Sequence, residues 1–192
     1  MVGEVGRAGL VIGIFRNMSI LKYLGLEKPQ GAAAETETVR KIAAELDRLE
    51  PESARYIAAF AYILSRVARA DLVISAEETR VMERIVMERS GLPEPQAVLV
   101  VQIAKTQTAL LGGTENYLVT REFGRSASAE QKLQLIDCLF AVCAADDNIS
   151  AVEDNEIRQV ADELRIERPD LIAIRSRYRQ FLGVLKKPET GG

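Results

Sequence analysis

Past residue 38 the apolar positions fall at three- and four-residue intervals, and the breaks between them coincide with proline, glycine or serine. That spacing places apolar side chains on one face of an α-helix, and the interrupting residues are helix start and stop signals. A first helix is predicted over residues 36–49, stopped by Pro51. Glu52–Ala70 follows, with Tyr56, Ala59, Phe60, Ile63 and Val67 forming its buried face. Ala76–Ser90 is the third, ended by Gly91, which accepts the left-handed conformation of a C′ residue. Pro93 and Pro95 open a fourth that runs to about Leu111 and stops at Gly112-Gly113. Thr114–Phe123 is shorter. Ser128-Ala-Glu-Gln131 has the form of a capping box and opens a helix through Ala145. Ala151–Leu164 and Pro169–Lys186 complete the set. No sheet is expected.

The chain's most hydrophobic stretch, RAGLVIGIFRNMSILKYLGL at 7–26, is broken by Arg16, Asn17 and Lys22 and has no run near the roughly 20 residues of a membrane span. On a helical wheel Leu10, Val11, Ile14, Met18 and Leu21 share one side, while Arg16, Ser19 and Tyr23 share another, with Ile12 as an exception. Its charges from Arg7 to Lys22 are all positive. Such a segment docks on the main body or a second copy, or lies on a membrane surface. Residues 27–38 have the Pro, Gly, Ala and Thr content of a connector. The expected organisation is therefore an amphipathic helix and linker over 1–37, a helical domain over 38–187 and a disordered tail over 188–192.

Within that domain, RADLVISAEE at 69–78 returns as AADDNISAVE at 144–153. Aligned without a gap, Ala70, Asp71, Ile74, Ser75 and Glu78 match Ala145, Asp146, Ile149, Ser150 and Glu153, with a helix before and after each copy. This reads as an internal duplication of a helix–loop–helix unit. In Ser75-x-x-Glu78 and Ser150-x-x-Glu153 the serine hydroxyl caps the helix and the glutamate reaches back to the serine amide. Capping accounts for two residues of the repeat. The same carboxylates also imitate the second half of an EF-hand loop. The first half is missing, because its ligand positions fall on Val67 and Arg69 in one copy and on Val142 and Ala144 in the other. Two such loops brought together pool Asp71, Glu78, Asp146, Asp147 and Glu153 as a ligand set for Ca or Mg.

The 192 residues contain no histidine, which removes Ser-His-Asp and Cys-His hydrolysis and every His-ligated metal or haem site. Cys138 and Cys143 are five apart and match neither a CxxC pair nor a zinc site, so both are expected as buried free thiols. A net charge of −3 and a pI near 5.3 argue against a nucleic-acid partner.

The paired ADLVISAEE and ADDNISAVE stretches, each between two helices, resemble the TerB-like family, named for the tellurite-resistance protein TerB and shared with the amino-terminal part of the DjlA co-chaperone. The resemblance covers about residues 38–186. It implies an all-α bundle of about seven to eight helices, acidic residues that bind metal ions, no catalytic activity, and a link to tellurite resistance or membrane-associated stress complexes. The family pattern Ala-Asp-Gly-x-Ile-Ser carries a glycine where this chain has Leu72 and Asp147. DjlA-type co-chaperones also carry a His-Pro-Asp triplet, which a chain without histidine does not have. The resulting expectation is a non-enzymatic interaction module with a protein partner or a second copy as its target, cytoplasmic and peripheral at the inner membrane. A membrane-surface adaptor recruited by residues 7–26 and a carboxylate-based enzyme are the alternatives.

Overall fold

The computed structural model describes residues 41–42, 44–67, 76–108 and 116–183, and these form an all-α bundle. A helical segment through Asp47 contributes Ile42 and Leu46 to the core. Seven helices follow: α1 Pro51–Val67, α2 Ala76–Ser90, α3 Glu94–Thr108, α4 Asn116–Ser126, α5 Ala129–Cys143, α6 Ala151–Glu163 and α7 Arg168–Arg177. The expected extra helix over 7–26 and the loop at 68–75 lie outside the described residues, as does Ser75.

Helix α1 is central. Ile57, Phe60, Ile63 and Leu64 are fully buried, and even Arg66 near its end is only 4% exposed. Its ring cluster with α4 pairs Tyr56 with Phe123 in a stack at 5.1 Å and Phe60 with Phe123 edge-on at 6.3 Å. Helix α2, by contrast, buries only Met82, Val86 and Ser90, and so covers the core with one narrow stripe.

The duplication extends further than the motif. Ala76 and Ala151 both begin helices, and the helices before and after them recur at nearly the same offset: α1 with α5, α3 with α7, and the segment ending near Asp47 with α4. Packing respects this correspondence. α1 lies on α3 as α5 lies on α7, and the exchange pairs α2–α5 and α6–α1 are both in contact. That exchange is what a pseudo-two-fold requires.

The caps follow the sequence closely in the second unit. Ser128 and Ser150 are N-caps of α5 and α6, each in a reciprocal capping box, with Gln131 and Glu153 as the returning partners. α6 ends in a Schellman motif: the Arg165 N–H donates to the Asp162 carbonyl and the Ile166 N–H to the Ala161 carbonyl, both at 3.0 Å. The residue after α2 is Gly91 with φ +69°, and its counterpart Arg165 holds φ +57° without glycine's freedom.

One expectation fails in its extent. The predicted last helix, Pro169–Lys186, stops at Arg177 and gives way to a 3₁₀ turn at Arg179–Phe181. The chain then pairs with the second acidic loop: the Ile149 N–H donates to the Phe181 carbonyl at 2.7 Å and the Gly183 N–H to the Ile149 carbonyl at 2.8 Å. Two such bonds satisfy both backbone groups of a fully buried residue, a gain that continuing the helix would forgo. Gly183 fits there because a Cβ would sit 3.1 Å from the Ile149 carbonyl oxygen and 3.2 Å from Asn148 Oδ1.

Candidate functional site

The second copy of the repeated stretch is a solvent-facing acidic turn on a rigid base. α5 ends at Cys143, a 3₁₀ turn covers Ala144–Asp146, and Asp147 takes a left-handed conformation, φ +57° and ψ +14°. This is the position of the family pattern's glycine, and aspartate is among the few other residues that tolerate it. Asp146 and Asp147 are exposed. Beneath them Ile149 is fully buried and bonded to the carboxyl-terminal segment. Ser150 and Glu153 complete the base: the Ser150 N–H donates to Glu153 Oε2 at 2.8 Å and the Glu153 N–H to Ser150 Oγ at 3.2 Å. Cys143 packs against this base. Burial first, then the negative charge and hydrogen bond of Glu153, push its thiol well above the ordinary range.

Of the five carboxylates singled out from the sequence, Asp146, Asp147 and Glu153 are thus brought to one loop, with Glu153 engaged in the cap. Glu78 is exposed in the first turn of α2, and Asp71 lies outside the described residues. Among the described residues, no three Asp, Glu or Cys side chains form a group that can hold a metal ion.

Three buried ionic groups hold the helices that carry this loop. Arg66 of α1 donates through Nε to Glu156, through Nη1 to Glu163 Oε2 at 2.8 Å, and through Nη1 to Thr120 Oγ1 at 3.2 Å, tying α1 to α6 and α4. Burial opposes the guanidinium's charge, but the Glu163 and Glu156 hydrogen bonds outweigh it and raise its pKa. The Glu163 carboxyl moves the other way: burial raises it, and the donations from Arg66, Gln159 and Thr120 bring it below its ordinary value. Asp154, 3% exposed, receives a bidentate pair from Arg175 at 2.7 and 2.8 Å and so joins α6 to α7.

Asp137 of α5 accepts the Tyr178 hydroxyl at 2.7 Å and is bridged by Arg177 at 3.0 Å and Arg89 at 3.4 Å. Tyr178 stacks on Phe140 at 5.6 Å, and burial followed by the Asp137 hydrogen bond pushes its hydroxyl well up. The bridge stands at one end of an open cavity of about 490 Å³ between α5 and α7.

Sequence patterning passed over Arg66, Asp137, Asp154, Glu163, Arg175 and Tyr178. The available signal was a charge inside an apolar run, Arg66 in AYILSRV and Asp137 in LQLIDCLF, since a charge on a buried face has a partner. Both cysteines are buried and free, as their spacing required. No described helix is long and apolar enough to cross a membrane.

No curated protein and no solved structure matches the chain. The family model for tellurite resistance protein TerB matches residues 57–176, a span that begins inside α1, takes in both copies of the repeated stretch and ends inside α7. With a helical bundle built on a duplicated unit, and a left-handed Asp147 where the pattern has glycine, the chain belongs to the TerB family.

Proposed function

We propose that the protein is a non-enzymatic TerB-type interaction module of a tellurite-resistance or membrane-linked stress system, and that its acidic loops respond to a hard divalent cation. The observation that carries this reading is the family match over residues 57–176, which spans both loops. The second loop supports it physically. Its two exposed carboxylates, Asp146 and Asp147, project from a turn whose backbone is fixed by the Ser150–Glu153 cap and the bonds of Ile149. Exposed oxygen ligands without histidine or available thiolate favour Ca or Mg over transition metals. The described carboxylates do not by themselves make a three-ligand group, so cation binding would have to draw Glu153, and Asp71 and Glu78 of the first unit, toward Asp146 and Asp147, and it would alter the charge that a partner protein meets.

The buried charges support an interaction role over a carboxylate-based reaction. Arg66, Asp154 and Asp137 each join two or more helices, an arrangement that fixes packing. The test is titration with Ca or Mg at millimolar concentration, followed by calorimetry and thermal melting. Heat release and a raised melting temperature are expected, both lost in Asp146→Asn, because a ligand bound only by the folded state stabilises it. No heat and an unchanged melt would remove the cation from the proposal. Partner capture with and without the cation then tests the interaction role.

A further inference from the structure

The cavity between α5 and α7 is an open groove lined from both helices. Glu130, Leu133 and Asp137 line it from α5, and Asp170, Ile174 and Arg177 line it from α7, each set recurring at helical spacing. The Asp137–Arg177 bridge closes one end. Glu130 and Asp170, first-turn carboxylates of their helices, flank the other. The duplication shows that this face differs from its counterpart: Leu133 and Gln134, both half-buried, correspond to Ala58 and Ala59, which neighbouring helices bury completely or nearly so. Among the described residues the second unit has no such cover.

We propose that residues 7–26 of the same chain seat in this groove as an amphipathic helix, placing Ile14, Met18 and Leu21 on Leu133 and Ile174, with Lys22 between Glu130 and Asp170. Charge complementarity selects this occupant. Every charge from Arg7 to Lys22 is positive, and the open end of the groove presents two carboxylates, the third, Asp137, being already met by Arg177 and Arg89. Lys22 is well placed for the role, since at 100° per residue it falls about 40° from Met18, on the margin of the apolar stripe. Chain length permits it. Residues 27–40 reach up to about 46 Å when extended, whereas a domain of this size has a radius of gyration of about 15 Å. Tethering gives the segment a local concentration of order millimolar, which favours its own groove over that of a second copy.

Hydrogen exchange on the full-length chain tests the seating. The amides of residues 10–22 are expected to exchange at least tenfold more slowly in the wild type than in the Glu130→Arg/Asp170→Arg variant. Lys22→Glu should release them equally, and adding Lys22→Glu to the double variant should restore protection. Unchanged exchange in α6 shows that each variant is folded. Equal exchange rates in wild type and variants, fast or slow, would overturn the proposal. So would protection that weakens on dilution, which assigns the contact to a second copy.

Discussion

Asp147 and Arg165 hold left-handed backbone, φ +57° in both, at positions whose counterparts in pattern or structure are glycines. For Arg165 the Schellman bonds compensate, and the guanidinium contributes nothing that glycine lacks to the backbone geometry. Arg165→Gly relieves about 1–2 kcal/mol of left-handed strain and loses somewhat less to the greater freedom of the unfolded chain, so a gain of about 0.5 kcal/mol in urea unfolding is expected. Asp147→Ala keeps the strain and discards the side chain that tolerates it, and should cost about 1 kcal/mol. Ser150 acts through hydrogen bonds instead. Ser150→Ala leaves the Glu153 N–H without its acceptor and should cost about 0.5–2 kcal/mol in the same assay.

Helices, as distinct from their termini, are joined by buried ion pairs, and one of these makes stability depend on acid pH. Arg66, with a side chain only 2% exposed, meets Glu163, which is nearly as buried, and Glu156, which still reaches solvent at 29% exposure. Removing the guanidinium alone, as in Arg66→Leu, strands two carboxylates and should cost about 3–5 kcal/mol, whereas pairing it with Glu163→Leu should recover part of the loss. Since the Glu163 carboxyl titrates below its ordinary 4.5 when folded, its contribution is complete above that pH and is lost as pH falls through the folded value. Glu163→Gln should therefore flatten the acid limb of a stability–pH curve measured by denaturant midpoint. These pairs also mark the limit of what the sequence disclosed. The 3.6-residue pattern located the helices because one face of each is apolar, and the Ser-x-x-Glu and Ser-x-x-Gln boxes located the starts of α5 and α6 because capping is local. Arg66 finds Glu163 across 97 positions, a pairing that depends on how α1 and α6 cross. The turn after Arg177 was equally illegible, because the advantage of leaving the helix lies in Ile149, far away in the sequence.

At the scale of the whole molecule, the duplication raises the question of whether either unit is a domain in its own right. Its interface answers through burial. α1 of the first unit packs on α4 and α6 of the second, and α2 packs on α5, so the shared core includes Phe60 against Phe123 and the ring of Tyr56 against the same residue. The ionic contacts cross as well: Arg66 belongs to one unit and Glu156, Glu163 and Thr120 to the other, while Arg89 reaches Asp137. Separated, the first unit would expose the apolar face of α1 together with an unpaired Arg66, and the second would expose Phe123 and two carboxylates at a face meant for burial. Each side chain such as Phe60 or Phe123 returned to water costs about 1.5–3 kcal/mol, so exposing several of them together is comparable to the roughly 5–15 kcal/mol that holds a domain folded. Cutting the chain between Gly112 and Gly113 should therefore give two fragments that are each largely unfolded by circular dichroism. Mixed at equal concentration they should recover helical signal and melt together, at a temperature that rises with concentration because folding has become bimolecular. A fragment that is helical and cooperative alone would show that one unit carries the core and that the other is only appended to it.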